Sequence, residues 1–294
     1  MERTTRNWLI KFGATFALLL ALCGAAPRWW ENFPQFPPRT TEEMQTDVLE
    51  RYFKLPQQDI VVVGSSLSYH LKEWYFAHGD VRNASIPGGS PLTGLAIIAA
   101  APSARPRAIV VETNVLNRGI DGKLLAQYGT AQRHQGMLPP LRTLAAFYQG
   151  ARDDTLTYSA ERIHSIIATP LRPDRSSEAV TIASDEWNRP LQRDTLVRDA
   201  EKMKQLAAGL EAQGVKVFFF EVPYPSQLDR SVVARQTREV LAEIIRPDDR
   251  RWLTLSYPAG EMRSEADGVH LEDRSSVIFA AALDKAIHDR LARD

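Results

Sequence analysis

One cysteine, Cys23, stands in a chain of 294 residues, so no disulfide framework and no cysteine-based metal site is possible. Charge of either sign is not in excess. The 36 Lys+Arg balance 36 Asp+Glu, which excludes a nucleic-acid binder that works by bulk charge. No phosphate loop, dinucleotide fingerprint or run of residues at metal-ligand spacing occurs, and no internal repeat period is found. Of the histidines, His78, His134, His164 and His288 have no sequence neighbours that suggest chemistry. The sequence therefore implies no cofactor and no metal. What is present is ordinary for a packed domain: 44% hydrophobic and 24% charged residues exclude a disordered chain.

The amino terminus carries Arg3, Arg6 and Lys11 against Glu2, and then Phe12 to Ala26 runs uncharged through FGATFALLLALCGAA. This reads as a targeting segment. As a helix the uncharged run spans only about 22 Å, but starting at Trp8 gives about 28 Å, close to the ~30 Å hydrocarbon core, with Lys11 snorkelling to the headgroups. The basic flank on the amino side puts the rest outside the cytoplasm. Cys23-Gly24-Ala25 and Gly24-Ala25-Ala26 are candidate cleavage sites, although Pro27 argues against the second, and Leu22 before Cys23 argues against a lipoprotein. The favoured reading is an uncleaved signal anchor over 8–26 behind a cytoplasmic tail over 1–7. Residues 27–54 are then a Pro-rich tether, bearing Trp29, Trp30, Phe33 and Phe36, followed by a helix.

From Thr41 the periodicity is regular. Met44, Val48, Leu49 and Tyr52 recur at helical spacing until Pro56, and Ile60-Val61-Val62-Val63, closed by Gly64, reads as a strand buried on both faces. Further strands are expected at Val81–Ser85, Ala108–Glu112, Val215–Val222 and Trp252–Ser256. Helices are expected at Pro91–Ala101, Thr195–Gln213, Ser231–Ile245 and Asp273–Leu291. This alternation predicts βαβ units in a three-layer α/β domain over 55–294. Between 115 and 194 the pattern breaks into an insertion of about 80 residues, with helices expected at Pro140–Ala151 and Leu156–Ala168 and a polar run over Arg172–Ser177.

Ligands of open α/β sheets bind beyond the carboxyl ends of the strands. Four such places stand out: Gly64-Ser65-Ser66-Leu67, Asn83 through Gly89, Glu112-Thr113-Asn114, and Asp267-Gly268-Val269-His270. They supply the parts of an acyl-transfer site. Ser66, at a strand-to-helix turn, is the expected nucleophile. His270 is the only histidine with an aspartate three residues ahead, so Asp267 can hold Nδ1 and leave Nε2 to act as base. The N–H groups of Ser66 and Gly88 and the amide of Asn114 are candidate oxyanion donors. Arg118 could receive an anionic group, and Trp187 and Tyr224 could stack on sugar rings, although a solvated arginine and packed aromatics are the plainer readings. His70, one turn after Ser66, reads as a surface or packing residue.

At these residues the chain resembles the SGNH hydrolase superfamily, the GDSL-like lipases and esterases. The Gly-Asp-Ser-Leu block stands as Gly64-Ser65-Ser66-Leu67, with Ser65 in place of Asp. The glycine block runs from Asn83 to Gly88, the third block reads Glu112-Thr113-Asn114-Val115, and the last is Asp267 with His270. The resemblance covers residues 57–114 and 195–294. It implies a flavodoxin-like sheet of about five parallel strands, with Ser66, Gly88, Asn114 and His270 as the name-giving residues and Asp267 completing the triad. Gly-Ser-Ser behind a membrane anchor also resembles the envelope branch, which esterifies glycans beside a polytopic membrane acyltransferase. The expectation is a serine-dependent O-acyl esterase or O-acyltransferase with its catalytic domain periplasmic or extracellular, acting on an acylated cell-envelope glycan. The alternative from another class is a catalytically silent, membrane-tethered glycan-binding or assembly protein.

Overall fold

β1 (Ile60–Val63) is four consecutive apolar residues, all buried, and it lies inside the sheet. The computed structural model describes residues 3–29, 40–101, 105–130, 159–171, 178–224 and 226–293. Within them β1 is flanked by β2 (Val81–Asn83) and β3 (Ala108–Glu112), and β4 (Lys216–Phe220) follows β3, giving a parallel sheet of order β2-β1-β3-β4. The register pairs Val62 with Asn83, Val63 with Val111 and Glu112 with Phe220.

Alternate side chains point to opposite faces, and both faces are covered. Ile60, Val62, Val110, Phe218 and Phe220 pack against Leu67, Leu71, Phe76 and the last helix, α11 (Asp273–Leu291), through Phe279, Leu283 and Ile287. Val61, Val63, Ile109, Val111, Val217 and Phe219 face α4 (Pro91–Ala100), α8 (Arg193–Glu211) and α10 (Val232–Ile244). The domain is thus α/β in three layers, as expected. α2 (Thr41–Lys54) joins it, with Val48, Leu49 and Tyr52 buried. The short helices are α3 (Ser66–Tyr69), α5 (Gly122–Tyr128), which the sequence reading did not anticipate, α6 (Ala160–Ile167), α7 (Glu178–Trp187) and α9 (Ser226–Asp229).

The strand expected at Trp252–Ser256 shrinks to one parallel bridge, Phe219 with Trp252. Leu253 N–H still reaches the Phe219 carbonyl at 3.0 Å, but Tyr257 then turns to pack edge-on against Phe279 at 5.2 Å and Pro258 has no N–H to offer. The sheet therefore has four strands where about five were expected. In the insertion, the helix expected at Pro140–Ala151 and the Arg172–Ser177 run lie outside the described residues. α6 starts at Ala160 because Ser159 caps it, its hydroxyl accepting from Arg162 N–H.

α1 (Arg3–Trp29) extends the expected 8–26 segment at both ends. Trp8, Phe12 and Phe16 stack along it with centroids 5.5 and 6.3 Å apart, and Leu9, Ile10, Leu18, Leu19 and Leu22 are exposed on it. Among the described residues, no helix is long and apolar enough to cross a membrane.

Candidate active site

Gly64 ends β1 at the carboxyl edge, and Ser65 caps α3, its hydroxyl accepting from Leu67 N–H at 3.2 Å. Ser65 is fully buried. Its hydroxyl donates to Glu112 Oε1 at 2.7 Å and its N–H to Oε2 at 2.8 Å. Ser68 adds its N–H at 3.2 Å and its hydroxyl at 2.6 Å to Oε2, and the Ser68 and Ser85 hydroxyls lie 2.8 Å apart. One carboxyl at the end of β3 thus gathers the loop after β1 and, through a hydroxyl, the loop after β2. Burial pushes this carboxyl up, and the hydrogen bonds from Ser68 and Ser65 only partly oppose it. Gly64 makes the clasp possible: a Cβ there would meet Ser68 Oγ at 1.9 Å and Glu112 Oε2 at 2.5 Å.

The far end of α3 is closed by Asn83. Its Nδ2 donates to the carbonyls of Ser68 at 2.7 Å and Leu71 at 2.8 Å, while Oδ1 accepts from Ser85 N–H. The helix bearing Ser66 is therefore fixed at both ends by buried polar groups. Ser66, its first residue, is half-buried, unlike Ser65, and its hydroxyl makes no hydrogen bond among the described residues.

The Asp267/His270 pair forms as the spacing predicts. Asp267 Oδ2 lies 2.6 Å from His270 Nδ1, and Oδ1 accepts from the N–H groups of Val269 at 2.9 Å and His270 at 3.1 Å. Burial pushes the Asp267 carboxyl up, but the His270 ring and those two N–H groups outweigh it and hold the group well below the usual carboxylate range. His270 Nε2 is buried and, among the described residues, has no hydrogen-bond partner, Ser66 included. The ring stacks on His70, centroids 4.6 Å apart and planes 21° apart. His70 follows Ser66 by four residues and caps the far end of α3, so the Asp267/His270 pair meets the end of the helix that Ser66 opens. Burial and then the His270 charge push the His70 imidazole down to about 4.

Gly88 lies in an exposed turn with φ +68°, left-handed backbone that glycine takes without strain, and the preceding Pro87 carbonyl accepts from Gln45 Nε2 of α2 at 2.8 Å. Asn114 is buried and clasps Val222: Nδ2 donates to its carbonyl and Oδ1 accepts from its N–H, both at 2.8 Å. One amide N–H of Asn114 is left for another acceptor. Tyr224 donates to the Asn114 carbonyl at 3.2 Å and meets Trp187 edge-on at 5.1 Å, so both aromatics are packed. Arg118 donates to the Gly89 carbonyl at 3.3 Å and lines a groove of about 520 Å³ with Leu92, Ile120, Arg198, Asp199 and Lys202, which Ser66, Asp267 and His270 do not line.

Sequence reasoning missed Glu112 and the His70 contact. The first had a signal, because a carboxylate closing the strand AIVVE, buried on both faces, needs partners; the second arises from residues 200 positions apart and had none. His134 lies outside the described residues. Compared with protein-family models, with curated proteins and with solved structures, the chain matches none.

Proposed function

We propose that this protein is a serine-dependent O-acyl ester enzyme of SGNH type, tethered by its amino-terminal helix to the outer face of the cytoplasmic membrane and acting on a cell-envelope glycan. The observation that carries the reading is the oriented imidazole: Nδ1 is held by Asp267 at 2.6 Å while Nε2 is buried and unpartnered, on a ring stacked one turn from Ser66. The tether rests on α1, whose large apolar side chains are exposed along its length.

In this reading Ser66 Oγ attacks the acyl carbonyl as His270 Nε2 takes its proton. The N–H groups of Ser66 and Gly88 and the free amide hydrogen of Asn114 receive the oxyanion. The imidazolium then protonates the leaving alcohol, and the acyl group remains on Ser66. Water, deprotonated by the same Nε2, releases a free acid; a sugar hydroxyl yields a new ester.

The full chain in detergent, treated with a serine-directed fluorophosphonate and a chromogenic acetyl ester, tests this. Ser66→Ala is expected to abolish labelling, and Asp267→Asn to lower turnover by about 10³–10⁴-fold with an unchanged far-UV spectrum, because the wrong tautomer faces the serine. Labelling and turnover that persist in both Ser66→Ala and His270→Ala would remove Ser66 and His270 from the chemistry, whereas a wild-type chain with neither labelling nor turnover would leave the silent glycan-binding alternative. Mass spectrometry of an acylated oligosaccharide product, against free acid, separates transferase from hydrolase.

A further inference from the structure

The last helix reaches the sheet edge remote from Ser66. His78 and Asp80 directly precede β2 at its amino end, and Asp284 and His288 lie one turn apart near the end of α11. His78 Nδ1 is 2.9 Å from Asp284 Oδ2 and His288 Nδ1 is 3.2 Å from Asp284 Oδ1. The two imidazoles face each other with centroids 3.6 Å apart and planes 17° apart. One donor atom from each of His78, Asp284 and His288 lies within 4.8 Å of the others.

Hydrogen bonding leaves this cluster incomplete. Asp284 is only 2% exposed; its Oδ2 accepts from Ala77 N–H at 3.0 Å and meets His78, but Oδ1 is buried and, apart from the ion-pair contact with His288, has no hydrogen-bond partner among the described residues. Asp80 Oδ1 is likewise buried without one. A buried carboxylate oxygen left short of donors is costly, and a cation among the same atoms would offset that cost.

We propose that His78, Asp284 and His288 bind one divalent transition-metal ion of the zinc class. Two imidazole nitrogens and one carboxylate oxygen suit zinc, whereas calcium and magnesium take mostly oxygen. Asp80 fits as the outer partner that orients an imidazole, its Oδ2 lying 3.0 Å from His288 Nε2, while His288 Nδ1, now 2.8 Å from the Asp284 backbone carbonyl, exchanges that hydrogen bond for the metal. At zinc–ligand bonds near 2.0 Å, tetrahedral donors sit about 3.3 Å apart, so the site closes by roughly an ångström. His78, whose side chain is 53% exposed, is free to turn inward. The ion would staple the last helix to the loop before β2, and no acyl chemistry passes through it.

The test uses the full chain stripped with a chelator and titrated with zinc chloride by calorimetry, with thermal melts alongside. One zinc per chain is expected, at micromolar affinity or tighter, with a rise in Tm of several degrees that magnesium does not reproduce. His78→Ala should weaken binding at least ~10-fold and remove the Tm rise. His78→Gln and Asp284→Asn are second variants if that chain is unstable, and His270→Ala should bind zinc like the wild type. Absence of uptake at tens of micromolar zinc, an equal response to magnesium, or uptake lost in His270→Ala but kept in His78→Ala overturns the site.

Discussion

His70 stacks on His270 at 4.6 Å, and burial first, then the charge of that neighbouring ring, disfavours a proton on His70. Lys72 acts in the same direction on His70, while Asp267 and Asp273 oppose it. The folded chain holds His70 near 4, below its ordinary value of 6.5, and the unfolded chain takes up the proton first. The stabilisation is therefore complete above about 6.5 and is lost as the pH falls toward 4, amounting to at most about 3 kcal/mol. Urea midpoints between pH 7.5 and 4 should fall accordingly, and His70→Leu should flatten the lower part of that curve. At this scale the sequence was legible where the contact is local. Asp267 and His270 are three apart and close their own turn, but nothing near residue 70 announces a ring 200 positions away.

Among the elements, the β1–α3 turn is the most constrained. Gly64→Ala would drive a methyl into Ser68 Oγ and the Glu112 carboxyl, forcing apart a buried clasp of four hydrogen bonds. A loss of about 2–3 kcal/mol is expected in equilibrium denaturation, and reactivity at Ser66 should fall with it as α3 shifts. The strand Ala108–Glu112 was readable from its apolar run, but which groups would receive its final carboxylate was not. Its partners are the hydroxyls and N–H groups of Ser65 and Ser68 beyond β1, 47 and 44 positions away, and spacing cannot reveal them. Trp252–Ser256 failed for the converse reason: its composition suits a strand, but Tyr257 finds a better position against Phe279 than at the sheet edge.

For the whole molecule, the structural domain begins at α2. Val48, Leu49 and Tyr52 are each at least 92% buried, together worth about 5–8 kcal/mol, comparable with the net stability of a domain. A chain starting at Thr41 is expected to give a cooperative melt, whereas one starting at Gln57 should aggregate or lack a melting transition; circular dichroism separates the outcomes. The three-layer plan was legible because each strand is a short apolar run bounded by turns. The insertion was legible only as a break in rhythm.

α11 is tied down at both of its ends. It follows the Asp267–His270 loop, where Asp273 takes Lys72 Nζ at 2.8 Å and the Tyr75 hydroxyl at 2.7 Å, and it ends where Leu291 O accepts from Arg107 and His288 meets Asp80. Some 25–30 Å of rod is thus clamped near both tips, so slack introduced at the distant clamp would swing the imidazole's pivot rather than dissipate along a flexible linker.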